Sequence, residues 1–296
     1  MAQKLALAAV CIVSLLAFGP GLSAQQTQQP SPPPNPNSVQ VGVPQGGAAD
    51  QARARQIQQR QAAERARLAA LPAPRDEKGH IVIGTSSTLK GVWVPGPVVP
   101  NPTASIPYQP WAKALVATRR ESPLEPHTRC KPSGGMREFL TPYGVEIVDL
   151  PEAQRVYIFD IGGPHTYRTI YMDGRTHPEH FSPTFYGHSI GRWEGDTLVV
   201  DTVGFNENFW IDRGQTPTTD RLHTIERLTR TSLGTMDYKI TIDDPGAYTA
   251  PFTRNITLRW ENGTELFEYV CQQENYAPEL MEGEGHVVGR TDEVVP

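Results

Sequence analysis

The sequence predicts an all-β fold: a barrel of roughly ten antiparallel strands, with a two-sheet sandwich as the alternative. Three observations predict it. From Cys130 onward, short runs dense in β-branched and aromatic residues alternate with turn signals. The connections GGPHT, EGDT, SLGTM and ENGT are hairpin-length and contain glycine, so sequence neighbours pair antiparallel. No βαβ alternation occurs, and closing the sheet into a barrel removes its exposed edges.

The elements follow in order. Residues 1–24 read as a secretory signal peptide: Lys4, the apolar run LALAAVCIVSLLAFG and a small residue at Ala24. That run is too short to span a bilayer, so the expected location is periplasmic or secreted. Residues 25–49 are rich in Gln, Pro and Gly and read as a disordered linker. Residues 50–71 favour helix, yet within 50–70 Ile57 and Leu68 are the only sizeable apolar residues, which makes a solvated basic helical arm. Residues 72–126 are studded with proline and should run extended over the domain, with one short helix starting at Pro110 before WAKALVATR. The barrel domain is expected over residues 127–285, followed by a tail at 286–296.

The expected strands are KGVWV (90–94), VEIVDL, RVYIFDI, YRTIYMD, YGHSIGRWE, TLVVDTVGF, HTIERLTRT, DYKITIDD, RNITLRWE and TELFEYVC (264–271). Loss of the signal segment removes Cys11 and leaves Cys130 and Cys271. Two cysteines in an oxidising compartment are most simply one disulfide, with two buried thiols as the other reading. Residues 72–296 carry 21 Lys or Arg against 30 Asp or Glu, an acidic body that argues against nucleic-acid binding. HExxH and phosphate-cradling glycine loops are absent from the sequence.

Chemistry concentrates in THPEHFSPTFYGHSIGRWEGDTLVVD, residues 176–201. A turn at Gly195-Asp196 pairs Glu194 with Thr197, Ile190 with Asp201 and His188 with Val203. Side chains alternate between faces. One face then carries Ser189, Gly191, Trp193, Leu198 and Val200 and reads as core. The other carries His188, Ile190, Arg192, Glu194, Val199, Asp201 and Val203; it either meets water or lines a ligand cavity. In the cavity reading, His188 is a general base oriented by Asp201, with Arg192 or Arg175 steadying developing negative charge. A metal, if bound, would use His177, His180 and His188 with Asp173 or Glu179 as oxygen donor, although the two prolines make this segment a loop. His223 and Glu226 fall on opposite faces of their strand, and His223 reads as a buried hydrogen-bonding histidine. The long segment 206–222 reads as a lid, with Phe209 and Trp210 folded over the barrel mouth and Asp212 and Arg213 beside them. Asp173, His177, Phe209, Trp210, Asp212 and Arg213 are the candidate ligand-binding residues.

The segments IYMDGRTHP, GHSIGRWEGDTLVVDTVGF, LHTIER, TIDDPGAY and ELFEYVCQQEN resemble an uncharacterised family of exported bacterial β-rich proteins, over roughly residues 85–280. The resemblance implies that Cys130 and Cys271 belong to a shared scaffold and hands over no catalytic residues. LKGVW, more loosely, is similar to the Gly-x-Trp of lipocalins and implies a lipocalin-like barrel. Two functions are therefore expected of the sequence. The first is an exported barrel that binds a small, partly apolar molecule in its cavity. The alternative is an acid–base enzyme (isomerase, lyase or hydrolase) using His188 and Asp201 in that cavity. Neither requires a cofactor, a nucleic acid or a membrane span.

Overall fold

The computed structural model describes residues 47–98, 105–119, 126–160, 162, 165–212, 214–267 and 271. The expected signal peptide, most of the linker, Arg213 and the C-terminal tail lie outside them. Nine strands form one closed barrel in sequence order. They are β1 (Gly91–Val98), β2 (Val145–Leu150), β3 (Arg155–Asp160), β4 (Thr166–Tyr171), β5 (His188–Glu194), β6 (Thr197–Val203), β7 (His223–Arg230), β8 (Thr235–Asp243) and β9 (Phe252–Asn262). Two helices precede or interrupt them, α1 (Ala48–Ala70) and α2 (Pro110–Arg119). No helix among the described residues is long and apolar enough to cross a membrane.

Two features depart from the expected barrel. TELFEYVC adds no strand among its described residues 264–267 and 271. The reason is that β9 runs to Asn262 and pairs with β8 on one side and β1 on the other, so no edge is left for it. The barrel is also not wholly antiparallel. β4 and β5 run parallel, with Ile170 opposite Ser189 and Tyr171 opposite Ile190. Residues 172–187 are too long for a hairpin; they leave the sheet and return beside the point of departure, so β5 starts in the direction β4 ended. The return limb is pinned where the Thr184 N–H donates to the Gly204 carbonyl at 3.0 Å and the Asn206 N–H to the Thr184 carbonyl at 2.8 Å. Gly204, at φ 76°, must lack a side chain there: a Cβ would lie 2.1 Å from the Phe181 ring.

Period-2 alternation sorts the side chains as the pleat requires. Ile147, Val156, Ile170, Leu198, Val200, Ile240 and Leu258 face inward and are 0% exposed, so no water-sized space adjoins them. Among the described residues the barrel is filled rather than hollow along these strands. The filling includes a plug from outside the sheet, the 3-10 helix Gly135–Leu140. Its Met136 and Phe139 join the apolar core, and the Phe139 ring lies 4.6 Å from that of Tyr238. Where Gly134 (φ 69°) leads into the plug, a Cβ would sit 2.5 Å from the Phe209 ring, so only glycine lets Phe209 close over it. Beside the β7–β8 turn, Arg230 lies between Trp93 and Trp260, 4.8 and 4.7 Å from their ring centroids. It donates to the carbonyls of Val82 and Leu233 at 2.7 and 2.6 Å.

The interior also holds charge. Arg168 on β4 is 2% exposed, and its guanidinium reaches three strands and the plug. Nε donates to the Ser189 hydroxyl at 2.9 Å and Nη2 to the Thr202 hydroxyl at 2.8 Å. Nη1 donates to Glu138 at 3.0 Å and to Glu226 at 3.1 Å, and Nη2 completes a fork on Glu226. Tyr238 donates to the same Glu226 oxygen at 2.7 Å. One guanidinium cannot neutralise two carboxylates in a dry site. Burial accordingly pushes the Glu138 carboxyl up to about 8, although Arg168 pulls the other way, so Glu138 carries a proton at neutral pH. Glu226 takes the guanidinium fork and Glu138 closes the network as a neutral acid.

The disulfide forms between Cys130 and Cys271, 141 residues apart with Cα atoms 5.6 Å from each other. It encloses the plug and strands β2–β9. Replacing both cysteines by serine is expected to cost about 2–4 kcal/mol of stability, read as a lower urea midpoint under non-reducing conditions.

A second expectation concerns pH. Glu138 binds its proton more tightly folded than unfolded (4.5 rising to about 8), so its contribution is fully present below pH 4.5 and lost as pH rises through about 8. Glu138→Gln cannot ionise. Between pH 4.5 and 8.5 the wild type should therefore lose stability relative to the variant; parallel melting profiles would refute the assignment.

Candidate functional site

The β5–β6 hairpin has the register its sequence implies, from His188 opposite Val203 to Glu194 opposite Thr197. The faces sort as follows. Ser189, Leu198, Val200 and Thr202 point into the barrel at 0–1% exposure. Trp193, expected among the core residues, is 37% exposed at the rim, where the strand outruns the interior it would fill. His188 and Asp201 lie on the outer wall and line no interior cavity. The filled interior leaves no room for them.

On that wall a hydrogen-bonded row of side chains assembles from three elements. The segment after β4 brings His177 back over β5, and its Nδ1 meets Nδ1 of His188 at 2.9 Å. The other nitrogen of His177, Nε2, reaches Asp201 Oδ1 at 3.2 Å. His223 at the start of β7 places Nε2 on the same Asp201 oxygen at 2.8 Å. Asp201 lies opposite Ile225, so His223 is its diagonal neighbour on the same face. His223 is thus a partly exposed partner of Asp201 (39% of its side chain), not the buried histidine expected. The Tyr171 ring stacks on His188 at 5.2 Å and 20°. Arg175 lies 4.0 Å from the Tyr171 centroid and is gripped by Asp173, Nε to Oδ1 at 2.8 Å. That contact holds the Asp173 carboxyl down at about 2.

The row has a direction. A carboxylate only accepts, so His177 donates to it through Nε2–H. A neutral His177 then has a bare Nδ1, and the short contact to His188 requires His188 to donate through Nδ1–H. The Nε2 of His188 is left as the free basic nitrogen. Burial lowers the His188 pKa, with further lowering by His177 and Arg175 against a smaller raising by Asp173, so the ring is neutral at pH 7. An oriented neutral imidazole backed by a second imidazole and a carboxylate is equipped to take up a proton.

Other candidates fall elsewhere. Arg192 is 61% exposed and bonds Glu194 at 2.7 Å, which also takes Arg227; it is not part of the row. His180 is exposed and contributes nothing to it. His177 turns its two nitrogens to His188 and Asp201 in opposite directions, so these three cannot converge on one ion, and no group of three or more His, Cys, Asp or Glu among the described residues is arranged to hold a metal. Phe209 and Trp210 do fold inward, at 1% and 3% exposure, but they pack on the plug and on Arg119 rather than over an open mouth. Asp212 accepts from the Thr216 N–H at 3.3 Å and faces Arg254 at 3.9 Å. Arg213 lies outside the described residues. Sequence reasoning missed Tyr171 and His223. Strand parity with Asp201 was the available signal for His223; for Tyr171 it was the parallel seam, which hairpin logic hides.

No protein-family model, no curated protein and no solved structure matches the chain significantly.

Nitrogen-15 NMR of the histidine side chains at pH 7 should show His188 as the Nδ1–H tautomer, titrating below the ordinary histidine value of 6.5. An Nε2–H signal for His188 would reverse the direction of the row.

Proposed function

We propose that the protein is an acid–base enzyme whose site is the outer-wall row His188–His177–Asp201–His223, acting on a small molecule that loses or shifts a proton. The observation that carries this reading is the connection of His188 to Asp201 through both nitrogens of His177. His188 Nε2 takes the proton from a substrate hydroxyl, an activated C–H or a water. The positive charge that results on His188 is met by His177, whose Nδ1 accepts the Nδ1–H, and beyond it by the Asp201 carboxylate. Tyr171 fixes the ring plane from one side. Arg175, close enough to His188 to depress its pKa, faces a developing oxyanion. Isomerisation, elimination and hydrolysis all fit these parts.

The same proposal places the chain outside the cytoplasm, in the exported β-rich family its motifs resemble. The apolar N-terminal run and the Cys130–Cys271 bond support it, since such bonds persist in oxidising compartments. A carrier role in a barrel cavity has less support, because the interior positions are occupied by the protein's own side chains.

The test is a panel of lactones, activated esters and β-elimination substrates, run with wild type, His188→Gln and Asp201→Asn. Loss of a positioned base should lower turnover about 10²- to 10⁴-fold in His188→Gln. The melting temperature should hold, since the residue sits on the outer wall. The wild-type rate should rise with pH through the lowered His188 pKa. Turnover by His188→Gln at the wild-type rate would refute the reading.

A further inference from the structure

The outer wall carries a second feature on the same face as the histidine row. Tyr157 and Phe159 of β3 and Tyr167 of β4 form a cluster of rings, their centroids 6.1, 6.1 and 6.2 Å apart. Period-2 alternation turns all three outward, since Val156, Ile158, Asp160 and Arg168 are the buried residues beside them. Phe159 stays 38% exposed and Tyr167 62%. Rings left in water at this level cost apolar hydration, and an apolar patch with a polar rim marks a binding surface.

Strand register joins this cluster to His188. Phe159 lies opposite Tyr167, and Tyr157 opposite Thr169. Across the parallel seam Ile170 lies opposite Ser189, so one step back on both strands puts Thr169 beside His188. Thr169 is thus the low floor between Tyr157 and His188, which are two strand spacings apart, about 10 Å. His177 takes the Nδ1 edge of His188 and also bonds Asp201 on β6. The β6 side is spent in this way, and the wall open to Nε2 runs toward β4 and β3. Charge borders the strip and does not enter it. Glu146 on β2 lies opposite Phe159 at one end. At the other, Arg155 and Arg175 lie 5.0 and 4.0 Å from the Tyr171 ring centroid.

We infer that the cluster is the ring-binding subsite of the histidine row, and that the substrate carries an uncharged aryl group about 10 Å from the atom that gives up its proton. The word substrate rests on the acid–base reading; the binding of an aryl ring beside His188 does not. The planes of Tyr157 and Phe159 differ by 28°, and Tyr167 is tilted by 60° and 42° against them. A flat ring laid on this corner meets one side chain face-on with an offset and another edge-on, the two arrangements that aromatic pairs prefer. A saturated ring covers the same area without those contacts, so the strip selects by aromaticity rather than by size. The reacting end then lies over Thr169 with its proton toward Nε2. The arginines at Tyr171 face the negative charge that develops there.

The experiment is an NMR titration of the full chain, labelled at its aromatic and histidine side chains, with two uncharged amides, 5-phenylpentanamide and 5-cyclohexylpentanamide. Expected are saturable binding of the phenyl compound, nuclear Overhauser contacts from its ring to Tyr157 and Tyr167, and movement of the His188 Nε2 resonance. The cyclohexyl compound should bind about fivefold more weakly. Tyr167→Ala and Phe159→Ser, both at exposed rings, should each weaken the phenyl compound about fivefold without moving the melting temperature. Lys239→Ala, on the outer face of β8, should bind it as the wild type does. No saturable binding, equal affinity for the two amides, or ring contacts without a response at His188 would each overturn the inference. Binding with all three signatures, but no turnover of any aryl compound, upholds the subsite and refutes the acid–base reading. Turnover that is lost in His188→Gln but shows no preference for aryl substrates does the reverse.

Discussion

A guanidinium in the dry middle of a barrel must be neutralised where it stands, and the surrounding structure is arranged to do so. Arg168 takes a carboxylate from β7, hydroxyls from β5 and β6, and a carboxylic acid from the plug. Each donor–acceptor pair ties β4 to an element that is not its hairpin partner. This matters because the β4–β5 seam is a weak line of the barrel, with two residue pairs where the β5–β6 hairpin has seven. The side-chain network crosses that seam on the inside. Buried ion pairs add little net stability over apolar packing, but a broken one is costly. Arg168 therefore selects one arrangement of strands and plug more than it strengthens it.

Much of this architecture is legible in the sequence, and the limits are physical. The β5–β6 register follows from Gly195-Asp196, because a tight turn determines every pair beyond it. Helix α2 follows from Pro110, and the disulfide from there being two cysteines outside the apolar N-terminal run. What period-2 reasoning cannot supply is the sign of the face. Both sides of the hairpin mix polar and apolar residues, and the inner side carries Ser189 and Thr202 because they serve Arg168. A reader of the sequence weighs His188 and Asp201 as the special polar residues and turns them inward. The parallel seam is equally hidden, since a loop of irregular sequence does not say where its far end returns. The tenth strand was lost for a topological reason: β9 and β1 had already closed the ring.

A filled barrel moves chemistry to its surface. The histidine row is built where residues 172–187 fold back on the sheet. The sheet supplies fixed spacing and the segments supply the reactive groups. The row depends on β4, which contributes Tyr171 on its outer face and Arg168 on its inner one.

The last consequence concerns the order of assembly. β1 makes one residue pair with β2 but six with β9. A chain emerging N-terminus first therefore presents its first strand long before that strand's principal partner exists. During that interval GVWVPGPV is an unpaired edge able to template aggregation. It also carries Pro95 and Pro97, which lack the N–H groups a foreign strand would need. The prolines that shorten its pairing in the finished ring guard it while it waits. Ring closure has to wait for β9, the last strand of the barrel to emerge.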